Sequence, residues 1–174
     1  FVLTDHVAGI KSAARTRPYM DLERVGITGI SFGGYASARA ILLFPDFYKA
    51  AVSIAGPQDY RTMISSISVE RFFGVPGDGE DDVYTRVDNL HLANRLEGKL
   101  MLIAGEIDQN VPFNQAVALS NALIEAGKEF DFVLVPNAAH DVGYHPYAAR
   151  RLAGFFVRHL QQQEPPVPFA QAAK

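Results

Sequence analysis

The chain has 174 residues, 16 Lys and Arg against 19 Asp and Glu for a net charge of −3, and 48% hydrophobic residues. That balance gives no electrostatic case for nucleic acid or an anionic membrane surface, and the length suits one domain with a sizeable core. Cysteine is absent, which excludes disulfides, thiol catalysis and cysteine-ligated metals, and no apolar run approaches the ~20 residues that cross a bilayer.

In chain order, residues 4–16 read as a helix, with Val7, Ile10 and Ala14 at helical spacing, Thr4 as a cap and Pro18 as the stop. The run 24–28 is an expected strand, followed by Gly29-Ile30-Ser31-Phe32-Gly33-Gly34-Tyr35. Residues 35–43 are small and apolar, a helix able to lie close on a sheet, and Pro45 ends it. Residues 50–55 form a buried-strand run punctuated by Gly56-Pro57. The stretch 57–98 is less regular. It holds one or two helical turns at 69–74 and a loop at 76–82 whose acidic cluster lacks the spacing of a calcium loop and reads as a solvated face. Alternation resumes with a strand at 99–104 and a helix at 113–126 carrying Ala116, Leu119, Leu123 and Ala126 on one face. A strand at 130–135 and a helix from Pro146 to about Gln161 follow, the helix turning Leu152, Phe155, Phe156 and Leu160 inward. Beyond it the chain is polar and proline-rich and is expected to be extended.

Short apolar strands separated by helices imply an α/β fold whose parallel sheet is covered on both faces, with ligand chemistry at the carboxyl ends of the strands. Ser31 lies at such an end, within a G-x-S-x-G pattern between strand and helix, the pattern of a nucleophile elbow. The tight turn is expected to strain the Ser31 backbone and to exclude side chains at Gly29 and Gly33. The helix that follows aims its first amides at the site, where they favour negative charge.

The next two carboxyl strand ends supply Asp108 and His140, in the chain order Ser, Asp, His of α/β-hydrolases. Acyl transfer needs all three: His140 to accept the Ser31 proton, and Asp108 to orient the imidazole and stabilise its charged form. Alone, an Asp before a helix is a cap and a loop His is solvated; their combination on successive strand ends favours a triad. His145 is expected to begin the last helix, and His6, His91 and His159 lie away from the carboxyl edge. Zinc ligation by His140, Asp141 and His145 is disfavoured because i, i+5 is not a helical ligand spacing. The reading therefore calls for no metal and no cofactor.

Four segments together resemble the C-terminal part of the catalytic domain of prolyl-oligopeptidase-family serine peptidases, in the dipeptidyl-peptidase IV-like branch. They are 21–27 running into the Ser31 turn, Glu70-Arg71-Phe72-Phe73-Gly74, 105–111 with its Asp-x-Asn-Val core, and 135–140 followed by the Arg150-Arg151-Leu152 helix. The resemblance implies the C-terminal portion of an α/β-hydrolase fold at residues 1–163, with about four mostly parallel strands, and an extended tail at 164–174. It implies Ser31, Asp108 and His140 as catalytic residues, and the Phe32 N–H as one oxyanion donor with the Phe32 ring bordering the pocket for the residue before the scissile bond. Asn110 is implied as a ligand of a substrate carbonyl and Val111 as a pocket-lining residue.

Two departures accompany it. Where mammalian members carry two aromatic residues before the Glu-Arg pair, this chain has Ile64 and Ser68, which puts a strict post-proline preference in doubt. A full hydrolase domain has roughly eight strands. The remainder, with the second oxyanion donor and in this branch a β-propeller, is expected upstream of Phe1. The strand at 24–28 is then an edge in the isolated piece, which is expected to pair with a second copy, dimerise or aggregate, and to hydrolyse peptides weakly. The functional expectation is a serine peptidase acting on peptide substrates through an acyl-enzyme. The alternatives are an esterase or acyl-peptide hydrolase with the same triad, and a non-catalytic hydrolase-like binding domain. The resemblance is compatible with a periplasmic or secreted location and leaves a cytoplasmic one open; no targeting signal is readable.

Overall fold

The computed structural model describes residues 2–63, 66–77 and 82–166, with the side chains of residues 66–68 left out. Ile64, residues 78–81 of the acidic loop and residues 167–174 of the tail therefore lie outside the described residues, as does the Ser68 side chain. The strands are β1 (Val25–Ile30), β2 (Tyr48–Ile54), β3 (Lys99–Gly105) and β4 (Asp131–Val135). The α-helices are α1 (Val2–Ala14), α2 (Phe32–Leu43), α3 (Ser66–Phe73), α4 (Val83–Val87), α5 (Asn114–Glu125) and α6 (Pro146–Leu160).

The four strands form one sheet in the order β1-β2-β3-β4, every neighbouring pair parallel. Parallel strands need crossovers that cover the faces, and their buried residues run continuously rather than alternating with polar ones. β2 and β3 obey this rule: Ala51, Leu100, Leu102 and Ala104 pack toward α2, α5 and α1, while Ala50, Val52, Ile54, Met101 and Ile103 pack toward α6. The first layer is closed by Ala38, Ile41 and Leu42 of α2 with Leu119 and Leu123 of α5. The second is closed by Phe155, Leu152, Phe156 and Leu160 of α6.

Most boundaries differ from the sequence reading by one to three residues, and two of the shifts have a visible cause. β1 continues to Ile30 because Gly29 and Ile30 still pair with Ser53 and Ile54 of β2. α1 starts at Val2, with Leu3 packed on the core, so Thr4 lies inside the helix rather than capping it. β1 has β2 as its single partner among the described residues and is only half-buried on both faces, as an edge strand is. His145 does begin the last helix, its Nδ1 accepting the Tyr147 N–H at 3.2 Å.

The excursion between β2 and β3 builds a third cluster around edge-to-face rings, Tyr35–Tyr60, Tyr60–Phe73 and Phe73–Tyr84, with centroids 5.2, 5.6 and 5.7 Å apart. Arg61 ties its ends, bonding the Gly77 carbonyl, the Thr85 hydroxyl and the Asp82 carboxylate. The described acidic residue of the 76–82 loop, Asp82, thus serves that clamp and also caps α4 through the Tyr84 N–H.

At the amino ends of the strands, His159 lies against the Phe155 ring, 4.5 Å between centroids. Burial, and secondly the Lys99 ammonium, lower its pKa from the ordinary value. The folded state then holds fewer protons than the unfolded chain as pH falls through about 6.5, so stability present above that value is lost below it. Melting temperature is expected to fall between pH 7 and pH 5, and by less in His159→Gln; an identical pH profile in the two proteins contradicts the assignment.

Candidate active site at the carboxyl edge of the sheet

Ser31 occupies the turn between β1 and α2 with φ 59° and ψ −120°. A non-glycine residue there is strained, and it is held by the bonds on either side: the Ser31 N–H donates to the Ile54 carbonyl at 2.8 Å, and the Ser31 carbonyl accepts the Tyr35 N–H at 3.0 Å. A Cβ at Gly29 would stand 2.6 Å from the Gly33 carbonyl group, so this glycine is obligatory. Gly33 is not: a Cβ there meets nothing within 4 Å. The second crowded glycine is Gly34, whose Cβ would strike the Ile54 carbonyl oxygen and stand 3.0 Å from Gly56 Cα. The expected clash at position 33 is thus corrected by one residue, because it is the buried side of α2 that meets β2.

Asp108 and His140 are brought together. His140 Nδ1 lies 2.8 Å from Asp108 Oδ2, and the Asp108 side chain is fully buried. The other carboxylate oxygen accepts the N–H groups of Asn110 and Val111, both at 2.9 Å. With both oxygens engaged, Asp108 has one orientation, and a carboxylate on Nδ1 directs Nε2 away from it. The two loops are welded at the backbone. The Ile107 N–H donates to the Ala138 carbonyl at 3.0 Å, and a Cβ at Gly105 would lie 2.5 Å from the Ala138 and Ala139 carbonyl oxygens. Glu106 adds a clasp by accepting the N–H of Asn137, which sits at φ 57°.

The Ser31 turn adjoins this pair through the segment after His140. Ile30 and Val142 share a cluster, and a Cβ at Gly143 would stand 2.5 Å from Ile30 Cδ1. Among the described residues the Ser31 hydroxyl makes no hydrogen bond. Catalytic hydrogen bonds of free enzymes are often long and tighten when substrate binds. The N–H of Phe32 heads α2, where the first amides have no acceptor within the helix.

Phe32 is 65% exposed and borders an apolar depression of about 300 Å³ with Tyr60, Val69, Phe72 and Phe73. The Tyr60 hydroxyl is buried without a partner among the described residues, and burial, then the neighbouring Tyr35, push its pKa up. Tyr35 itself rises to about 12, chiefly through burial. Val111 is buried in the cluster of Tyr35 and Tyr60, while Asn110 beside it is exposed. The walls given by Tyr60, Phe72 and Phe73 were not anticipated from sequence. The helical turn of the Glu-Arg-Phe-Phe segment does not by itself say which ring lines a depression.

A family model described as the prolyl oligopeptidase family matches residues 2–163. Human dipeptidyl peptidase 8 is 30% identical over 146 residues, covering 80% of this chain and 16% of that protein. Inactive dipeptidyl peptidase 10 of Rattus norvegicus is 32% identical over 142 residues, covering 81% of this chain and 17% of that protein. Acylaminoacyl peptidase of Pyrococcus horikoshii superposes with a TM-score of 0.81 at 26% identity, over 99% of this chain and 30% of that one. The chain thus spans about a sixth of the length of these curated relatives.

The glycine geometry predicts that Gly29→Ala destabilises the fold by about 1–3 kcal/mol through overpacking. Gly33→Ala is expected to stay within about 1 kcal/mol, on the stabilising side through helix propensity. Denaturant unfolding of the two variants checks this, and an equal loss in both contradicts it.

Proposed function

This chain belongs to the prolyl oligopeptidase family, and from that premise we propose that it is the nucleophile-bearing, C-terminal part of a serine peptidase catalytic domain, spanning residues 1–163. The observation that carries this reading is the 2.8 Å bond between His140 and the buried Asp108, on the same sheet edge as a strained Ser31. In the proposed reaction Ser31 Oγ attacks the scissile carbonyl while His140 Nε2 takes its proton. Asp108 keeps the proton of Nδ1 in place and stabilises the imidazolium. The Phe32 N–H supports the oxyanion, His140 returns the proton to the leaving amine, and water then releases the acyl group by the same steps. Asn110, exposed in the loop after Asp108, meets a substrate carbonyl, and the depression beside Phe32 receives the side chain before the scissile bond. The second oxyanion donor and the strands that cover the free edge of β1 belong to the upstream remainder of the domain, with a β-propeller beyond it.

Two other readings have observations in their favour. The similarity to acylaminoacyl peptidase supports an acyl-peptide hydrolase or esterase with the same triad. The 32% identity to an inactive dipeptidyl peptidase supports a non-catalytic binding domain.

In the complete polypeptide that carries this chain, a fluorophosphonate is expected to form an adduct on Ser31. Ser31→Ala should lose the adduct and about 10⁶-fold in kcat, and Asp108→Asn about 10⁴-fold. Absence of any adduct selects the binding domain. Turnover of short-chain esters without dipeptide anilides selects the esterase.

A further inference from the structure

Three amide side chains are buried and linked to one another or to one another's segments: Gln58 and Gln115 are 1% exposed and Asn89 is wholly buried. A buried amide is tolerated only when it is hydrogen-bonded, and every amide oxygen and nitrogen here has a partner. Gln115 Oε1 accepts the adjacent N–H groups of Gln58 at 2.8 Å and Asp59 at 2.9 Å, and its Nε2 donates to the Thr62 hydroxyl at 2.8 Å. Gln58 Nε2 donates to the Ser53 hydroxyl and the Gly56 carbonyl, and its Oε1 accepts from Asn89 Nδ2 at 2.9 Å. Asn89 also donates to the Tyr35 carbonyl and accepts from Arg39.

Gln115 is the point where two parts of the proposed site meet. It stands in the first turn of α5, just after the loop of Asp108, Asn110 and Val111. Its three bonds all go to the segment 58–62, which leaves β2 through Ala55 at φ 45° and belongs to no sheet ladder. That segment carries Tyr60, the inner wall of the depression. One oxygen accepting two successive N–H groups fixes both the distance and the tilt of the segment.

We infer that Gln115 is a specificity-positioning residue: it holds the segment that carries the Tyr60 wall against the start of α5, and so makes the depression a seat for a bulky apolar side chain before the scissile bond. The inference rests on the proposed peptidase reading. Its occupant follows from the lining, since about 300 Å³ walled by aromatic rings and one valine rewards a side chain of phenylalanine or leucine size and gives glycine little.

The test uses the complete polypeptide as wild type, Gln115→Leu and Gln115→Glu, with dipeptide anilides ending in Phe or Gly. Gln115→Leu is expected to lower the Phe-to-Gly ratio of kcat/KM by about tenfold, mainly through KM, because two buried N–H groups lose their acceptor. Gln115→Glu keeps that acceptor while losing the donor to Thr62, and is expected to lower the ratio by less than Gln115→Leu does. The rate of phosphonate labelling at Ser31 should change by less than about twofold in both. Equal losses on Phe and Gly substrates, or a wild type that favours Gly, overturn the inference. Hydrogen exchange decides it independently of turnover. Gln115→Leu should speed exchange across residues 57–63 by about tenfold while β3 is unchanged. Unchanged exchange at 57–63, or equal acceleration everywhere, overturns it. A wild type that labels nowhere and hydrolyses nothing defeats the peptidase reading, and the exchange result alone then decides whether Gln115 positions the Tyr60 segment.

Discussion

The candidate site depends on backbone packed directly against backbone at the carboxyl ends of the strands. Gly29 lies so close to Gly33, and Gly105 so close to the Ala138 and Ala139 carbonyls, that one methyl group at either place would force the loops apart. This closeness lets a 2.8 Å bond form between an aspartate on one strand end and a histidine on the next. It also holds Ser31 at a backbone angle that an unconstrained serine would leave. Loops normally move; these are fixed by the sheet beneath them and by bonds such as that from Asn137 to Glu106.

The sheet supplies that rigidity because its two central strands, β2 and β3, are buried on both faces. Leu100, Leu102 and Ala104 face one helical layer and Met101 and Ile103 the other, so β3 can neither tilt nor slip register without opening a core. β1 is different. It carries the proposed nucleophile yet has one strand partner among the described residues and half-exposed faces. The element that leads into the strained Ser31 thus has less strand support than β2 or β3.

Much of this was legible in the sequence, for reasons that can be named. Parallel strands read as short apolar runs, and all four were found at or within two residues of their ends. Ser31, Asp108 and His140 stood out because each follows such a run, and the structure brings Asp108 and His140 into contact. The apolar depression was not legible. Its walls come from Tyr60, Val69, Phe72 and Phe73 in the irregular excursion, where no periodicity tells which face is inward. The amide network was hidden for a related reason: nothing about Gln58, Asn89 or Gln115 in a linear sequence distinguishes a buried glutamine from a solvated one. The misassigned glycine, 33 in place of 34, reflects a helix phase that only the contact with β2 defines.

The central claim is that Ser31, prepared by the strained turn and by the Asp108–His140 pair, forms a covalent acyl intermediate. Rapid mixing of the complete polypeptide with an activated nitrophenyl ester, followed by acid quench and peptide mapping, tests it directly. The account predicts a burst of nitrophenolate approaching one equivalent and an acyl group on the peptide containing Ser31, absent in Ser31→Ala. Turnover without a burst and without an adduct, or an acyl group on another residue, contradicts it.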